Sequence, residues 1–278
     1  MTEFVAICLA FAASFCTNYS TYMQKTAVDI LPRLKLRLTW TIIRSFTTNR
    51  LWLSAMLMDG MGTGLYLVAL IWLPVSIVEP IITAGIGLLA YLAIKNLGEK
   101  PTRVDYLGMG TTVLGVVLLA VSLAGGLPEQ KTYHPLELLV VSTAVFAAAI
   151  LLPLVVQATR KGSIAPALGL SGGLFIGLAA VFSRLLMGDF NGLWPVWLAV
   201  CILLYPLGFA VFQAGLQRGR AVIVAPLYNS LVLVVPVVVG VIALNERLPQ
   251  SSLLAALRLT AFILIGIGAV VLSRKTPV

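Results

Sequence analysis

The chain predicts an all-α polytopic membrane protein of about nine transmembrane helices, arranged as an inverted-repeat bundle. Three observations carry that expectation. Mean hydropathy is +1.02 and only 10% of the 278 residues are charged, too few polar side chains to cover a water-soluble globule of this size. The apolar residues fall in long unbroken runs, whereas an outer-membrane barrel would alternate apolar and polar residues in segments of about ten. Finally, the phrase "IVEP" at 77–80 returns as "IVAP" at 223–226 in equally apolar surroundings.

A hydrocarbon core about 30 Å thick takes roughly 20 apolar residues per helix, and nine stretches meet that length: 4–24, 51–72, 75–95, 104–124, 135–157, 164–186, 195–217, 221–244 and 251–273. The first, "MTEFVAICLAFAASF", has no basic n-region and exceeds an h-region, so it reads as a helix and not as a signal peptide. Residues 26–50 carry Arg33, Lys35, Arg37 and Arg44. A central Arg or Lys costs about 2.5 to 3.5 kcal/mol to insert, so this basic segment is expected to be amphipathic and to lie on the cytoplasmic membrane surface. A degenerate tenth span there is the alternative, and it would place the N-terminus inside. Gly98 and Asn245 suit helix C-termini, and the pairs Glu99-Lys100 and Glu246-Arg247 that follow are expected to be structural.

The net charge of +9 is decided by its location. Fifteen of the nineteen Lys and Arg fall in alternate loops: six in 25–50, three in 95–103, then Arg160 with Lys161, Arg218 with Arg220, and Arg274 with Lys275. The remaining four are Lys131, Arg184, Arg247 and Arg258. By the positive-inside rule the C-terminus is cytoplasmic and the N-terminus outside, in a plasma or inner membrane. Basicity here encodes orientation, not a nucleic-acid partner.

Aligning Pro80 with Pro226 matches "VSIVEPIITAGIGLLAYLAIKNLGEK" to "AVIVAPLYNSLVLVVPVVVGVIALNER", with one extra residue bringing Glu99-Lys100 onto Glu246-Arg247. Further on, "VLGVVLLAVS" at 113–122 falls on "LIGIGAVVLS" at 264–273. Helices two to four thus correspond to helices seven to nine, and the charge bias makes the triplets antiparallel. The chain reads as one membrane domain, 1–278, with a first repeat over 1–124 and a second over 135–273. The second half has two helices before its triplet and the first has one, so 26–50 occupy the missing place. Inverted repeats of this kind are typical of secondary transporters, in which one half rocks against the other around a midplane site.

A small-residue and proline phrase opening the penultimate helix of each half, closed by an acidic-basic pair, resembles the EamA-like fold of the drug/metabolite transporter (DMT) superfamily, over essentially the whole chain. Within it, "LYLVALIWLPVSIVEPI" (65–81), "SIAPALGLSGGLFIGLAAVFSR" (163–184), "IVAPLYN" (223–229), "MQK" (23–25) and the basic stretch leading to "LWLSAML" (51–57) look most like the NIPA-type magnesium transporter branch. That resemblance implies nine helices and a cation as cargo. Where the branch usually shows Thr-Pro-Leu-Gly-Ala, this chain has Glu79-Pro80-Ile81-Ile82-Thr83, and an acidic residue of the branch falls on Thr63, with Asp59 one turn earlier.

An ionisable group deep in a span faces the bundle interior or a wet cavity, which makes Asp59 the first candidate for substrate binding. Glu79 is the second. Ser76 to Glu79 also fits a capping box with Pro80 in the first turn, an equally strong structural reading. Ser14, Asn18, Thr21 and Lys25 share one face of helix one, either as interhelical hydrogen-bonders or as cavity lining. Thr63, Tyr66, Thr83, Gln213, Tyr228 and Asn229, with Ser230, complete the polar groups expected around a central cavity. Gly169, Gly173 and Gly177, and Gly60 with Gly64, are GxxxG steps expected to pack helices closely.

Enzyme chemistry is not expected. His134 is the single histidine, Cys8, Cys16 and Cys201 have no metal-ligand spacing, and "GGLPEQKT" (125–132) lacks the glycine a phosphate loop needs before Lys131. The expected protein is a secondary transporter of a small solute or cation, without cofactor, with lipid bilayer and substrate as its partners and a homodimer as a compatible assembly. Magnesium transport is the specific rival. A membrane scaffold or lipid-interacting protein that has lost transport is the rival from another class.

Overall fold

A computed structural model describes residues 2–34, 40–73, 75–122, 133–159, 163–187, 192–244 and 251–273. In chain order the helices are α1 Thr2–Ile30, α2 Trp40–Thr47, α3 Arg50–Trp72, α4 Val75–Ala84, α5 Ile86–Asn96, α6 Arg103–Ser122, α7 Pro135–Thr159, α8 Ile164–Met187, α9 Trp194–Arg218, α10 Ala221–Ala243 and α11 Ser252–Ser273. Eight of the described helices are long and apolar enough to cross a membrane. The ninth expected span, 75–95, is present as two short helices, α4 and α5, that meet at Gly85.

The other expected spans agree with the helices to within about two residues at each end except for α1, which runs on to Ile30. A Lys25–Asp29 pair one turn apart, 2.6 Å, supports that extension. At 29 residues and 1.5 Å per residue α1 is about 44 Å long, more than a hydrocarbon core requires. The segment expected to lie on the membrane surface therefore begins as helix. Within it, α2 is a separate eight-residue helix ahead of α3. Asn49 caps α3, its Oδ1 accepting the Trp52 N–H at 2.8 Å.

Contacts at the helix ends fix the direction of each span. At one end, Lys25 near the close of α1 bonds Leu216 near the close of α9, Glu99 after α5 bonds the first residues of α10, and Arg220 pairs with Asp105 in the first turn of α6. Also at this end, Gly108 of α6 lies against Leu272 of α11. The opposite end joins the His134 N–H to the Ala243 carbonyl, Phe182 to Trp197, and Arg258 to Ser122. Successive spans thus alternate in direction. α3 and α9 are opposed, as are α4–α5 and α10, and α6 and α11. Lys25, Lys95, Lys100, Arg103, Arg218 and Arg220 gather at the first end, called the basic end below.

α1 packs along α3 as α8 packs along α9, and α6 and α11 pack on one another across the two halves. In each of these packed pairs the partners follow one another among the long helices of the chain, α1 ahead of α3 and α8 ahead of α9. The segment 26–50, expected to fill a missing place, lies between α1 and α3 in the chain, with 35–39 outside the described residues.

Close approach on α8 follows its glycines. A Cβ at Gly173 would lie 2.5 Å from the Tyr228 carbonyl oxygen, and one at Gly177 would lie 2.8 Å from that of Leu231, so α8 seats directly on the α10 backbone. Gly60 and Gly64 have nothing within 4 Å of a Cβ among the described residues; Gly62 of α3 meets α1, at Thr17. Arg258 is 6% exposed and bonds Ser122 at the close of α6.

Candidate functional site

The first-half helix that breaks is also the one that is a residue shorter than its copy in the sequence. Around Gly85 the backbone tightens: Gly85 N–H donates to the Ile82 carbonyl three residues back, 3.1 Å, leaving the Ile81 carbonyl without its helical donor. α1 supplies the replacements. Ser14 Oγ donates to Ile81 O at 2.9 Å and approaches Ile82 O at 3.2 Å, and Asn18 Nδ2 reaches Ile82 O at 3.3 Å while also bonding Ser14 O at 2.9 Å. Any Cβ at Gly85 would collide with both side chains. Ser14 and Asn18, expected as cavity lining or interhelical bonds, serve here as donors to freed backbone at the α4–α5 break.

One turn further along α1, on a neighbouring face, a buried polar chain runs through the bundle. Gln213 of α9 donates from Nε2 to Gln24 Oε1, Gln24 Nε2 donates to Ser20 Oγ at 2.9 Å, and Ser20 lies 2.9 Å from the Ala55 carbonyl and in hydrogen-bond contact with Asp59. Ser20 is 0% exposed and Gln24 and Gln213 are 2% exposed. Gln213 Oε1 has no hydrogen-bond partner among the described residues. On the other side of Asp59 stands Tyr228 of α10, close enough for the carboxylate and phenol to interact electrostatically, with its ring stacked on Phe212 at 4.1 Å.

The α3 face that bears Asp59 explains this placement. Ala55, Gly62 and Ala69 form the stripe buried against α1. Trp52, Asp59, Thr63 and Tyr66 form the adjoining stripe, and Trp52 approaches Phe209 of α9, 6.3 Å between ring centroids, which turns that stripe towards the second half. Asp59 is half-buried and Thr63 exposed. Tyr66 packs instead among Ala6, Ala10, Ala69 and Leu73, about 10 Å further along α3. Thr83 is buried near the break, and Asn229, next to Tyr228, is exposed. Of the expected set, Asp59, Gln213 and Tyr228 come together; Ser14, Asn18 and Thr83 form a second group at the break. The side chain of Glu79 lies outside the described residues, as do Glu246 and Arg247. Ser20 and Gln24 were missed, although their i, i+4 spacing within an apolar helix is a readable signal.

Among the described residues no group of three or more His, Cys, Asp or Glu could hold a metal ion. The site offers one carboxylate, an unpaired amide oxygen and hydroxyls. Such a set suits a cation that keeps part of its water, as Mg²⁺ does when bound through one or two carboxylates.

The sequence has a named relative. It is similar to the "Probable magnesium transporter NIPA9" of Arabidopsis thaliana, 29% identical over an alignment of 283 positions that takes in 96% of this chain and 81% of that protein. The similarity therefore runs through every helix described above and is not confined to one motif. No family model matches the chain, and no solved structure matches it. The relative is named as a transporter and not as an enzyme, in line with the non-enzymatic reading of the sequence.

At the basic end a cleft of about 330 Å³ is lined by Lys25, Asp29, Glu99, Gln217, Arg218 and Arg220, among others. Glu99, 8% exposed, accepts the Ala221 N–H at 2.7 Å and the Val222 N–H at 3.3 Å, capping the N-terminus of α10. Burial pushes its carboxyl above the usual 4.5, against the opposing effect of those N–H groups and of Lys25 and Arg220. The pairs Glu99-Lys100 and Glu246-Arg247 were expected to be structural, and for Glu99 the structure gives that role a partner: the start of α10 in the other half.

Proposed function

We propose that the chain is a NIPA-type secondary transporter of the drug/metabolite superfamily, moving a small cation, with Mg²⁺ the first candidate, by alternating access of two inverted repeats. The repeats span 1–124 and 135–273, with 26–50 an insertion on the cytoplasmic face. The N-terminus is outside and the C-terminus cytoplasmic, as the loop charges dictate. The observation that carries the reading is Asp59, a carboxylate inside a span, bonded to Ser20 of α1 and within electrostatic reach of Tyr228 of α10. Similarity to a protein named as a magnesium transporter supports the cargo.

A divalent cation crossing 100 mV gains about 4.6 kcal/mol at about 2.3 kcal/mol per charge, so uptake can run on membrane potential alone. Purified protein in proteoliposomes at an inside-negative potential is expected to accumulate Mg²⁺, read by an internal indicator, in preference to amino acids and organic cations. Transport of an organic cation in place of Mg²⁺ would keep the carrier and change its cargo. Accumulation of none of these solutes, with intact folded protein, would overturn the reading in favour of a membrane scaffold.

A further inference from the structure

Two sets of bonds tie the first half to the second at the basic end. From α1 and the residues after it, Lys25 Nζ donates to Leu216 O at 2.8 Å while paired with Asp29 at 2.6 Å. Gln217 Nε2 reaches Val28 O at 3.2 Å and Pro32 O at 3.1 Å, and Arg218 donates to Leu34 O at 2.7 Å. From the α5–α6 loop, Glu99 caps α10, and Arg220 bridges back to Asp105 at 2.9 Å and to Lys100 O at 2.8 Å. These two sets converge on residues 216–222, the two-residue joint between α9 and α10 with the turns that flank it. At the far end Arg258 of α11 bonds Ser122 of α6, also between the halves.

We propose that Lys25 and Glu99 are the gate of the basic end: they latch the α9–α10 joint to the first half and so close the route between the basic-end cleft and Asp59. The latch is made of buried charge. Lys25 and Glu99 are each 8% exposed, and each reaches backbone groups of the opposite half. A permanent junction gains little from buried ions, since apolar packing of the same volume holds at least as well. Charged hydrogen bonds to backbone have the complementary property that water can replace them when the halves part. Their position is also right for a gate. Asp59 lies nine residues into α3, about 14 Å above its basic-end start, so the latch sits between that carboxylate and the cleft lined by the same Lys25 and Glu99.

The inference rests on the transport reading, and its test separates the two. In full-length protein with Cys8, Cys16 and Cys201 replaced by alanine, a cysteine at Thr21, one turn inside Lys25, reports access from the basic end to a membrane-impermeant maleimide in sealed vesicles. A cysteine at the exposed Lys100 identifies the vesicles whose basic end faces the reagent. Glu99→Gln keeps the shape and one acceptor oxygen, and Lys25→Met keeps the stem. Each is expected to speed labelling at position 21 about tenfold, the shift that loss of one charged hydrogen bond produces. Pinning the latch with a Val28→Cys, Gln217→Cys disulfide is expected to slow labelling below that of the unpinned protein and to stop Mg²⁺ uptake until reductant is added. Labelling unchanged by both variants, or uptake unaffected by the closed disulfide, would overturn the gate. Altered labelling with no uptake of any solute by the unmodified protein would leave the latch standing and remove the transport reading.

Discussion

Asp59 and Glu99 are both carboxylates in largely apolar surroundings, and their partners give them different work. Asp59 has the Ser20 hydroxyl as its hydrogen-bond partner and lies within electrostatic reach of Tyr228, leaving its charge available to a solute. Asp59→Asn is therefore expected to lower Mg²⁺ uptake about tenfold or more, the scale of one charged interaction, while the melting temperature holds or rises. Glu99 is consumed by two backbone N–H groups. Because burial raises its pKa, the carboxyl takes up a proton more readily in the folded protein than in the unfolded chain. Its stabilising contribution is complete below 4.5 and is lost as pH rises through the higher folded value. Thermal unfolding in detergent should accordingly show a melting temperature that falls as pH rises above 4.5 through the raised folded value, and Glu99→Gln should flatten that fall. The sequence made Asp59 conspicuous because a charge inside a span is costly. It left Glu99 looking like an ordinary helix-end residue, because nothing local reveals that a helix from the other half begins against it.

At the scale of the element, the α4–α5 break is the feature with most to test. Ser14→Ala would leave the Ile81 carbonyl buried without its donor, an expected loss of about 1 to 3 kcal/mol in unfolding free energy. Gly85→Ala would drive a methyl into Ser14 and Asn18, and overpacking of that kind costs about 1 to 3 kcal/mol where neighbours cannot retreat. The pair should be less than additive, since removing the Ser14 hydroxyl makes room for the methyl. Denaturant or thermal unfolding of the two single variants and the double variant checks all three statements. The polar stripe on α1 was legible at helical spacing, and so was the one-residue deficit between the repeats. That the deficit becomes a break, and that the stripe supplies its donors, depends on α1 lying alongside α4, a contact between residues more than sixty positions apart.

Across the whole molecule the halves are joined at the basic end and along α6 and α11, and within the second half α8 seats on α10 through its glycines. Gly173→Ala is expected to destabilise by about 1 to 3 kcal/mol, because its methyl would lie 2.5 Å from the Tyr228 carbonyl, whereas Gly60→Ala should be neutral or slightly stabilising, with nothing within 4 Å. Both are GxxxG glycines in the sequence. Melting temperatures measured side by side will show whether motif or contact decides.

By itself the sequence determined the helical class, the number of spans to within one broken helix, the segregation of Lys and Arg to alternate loops, and the isolation of Asp59. Each follows from local accounting, since a lipid core demands runs of about twenty apolar residues and penalises any charge left inside. Only the tertiary structure decided that α1 stands before α3 as α8 stands before α9, that Ser20 and Gln24 link Asp59 to Gln213, and that Glu99 seals the start of α10. Those are pairings across the bundle. Helical periodicity states which face a residue occupies, but which helix covers that face is settled when side chains and backbone from distant segments satisfy one another in the packed molecule.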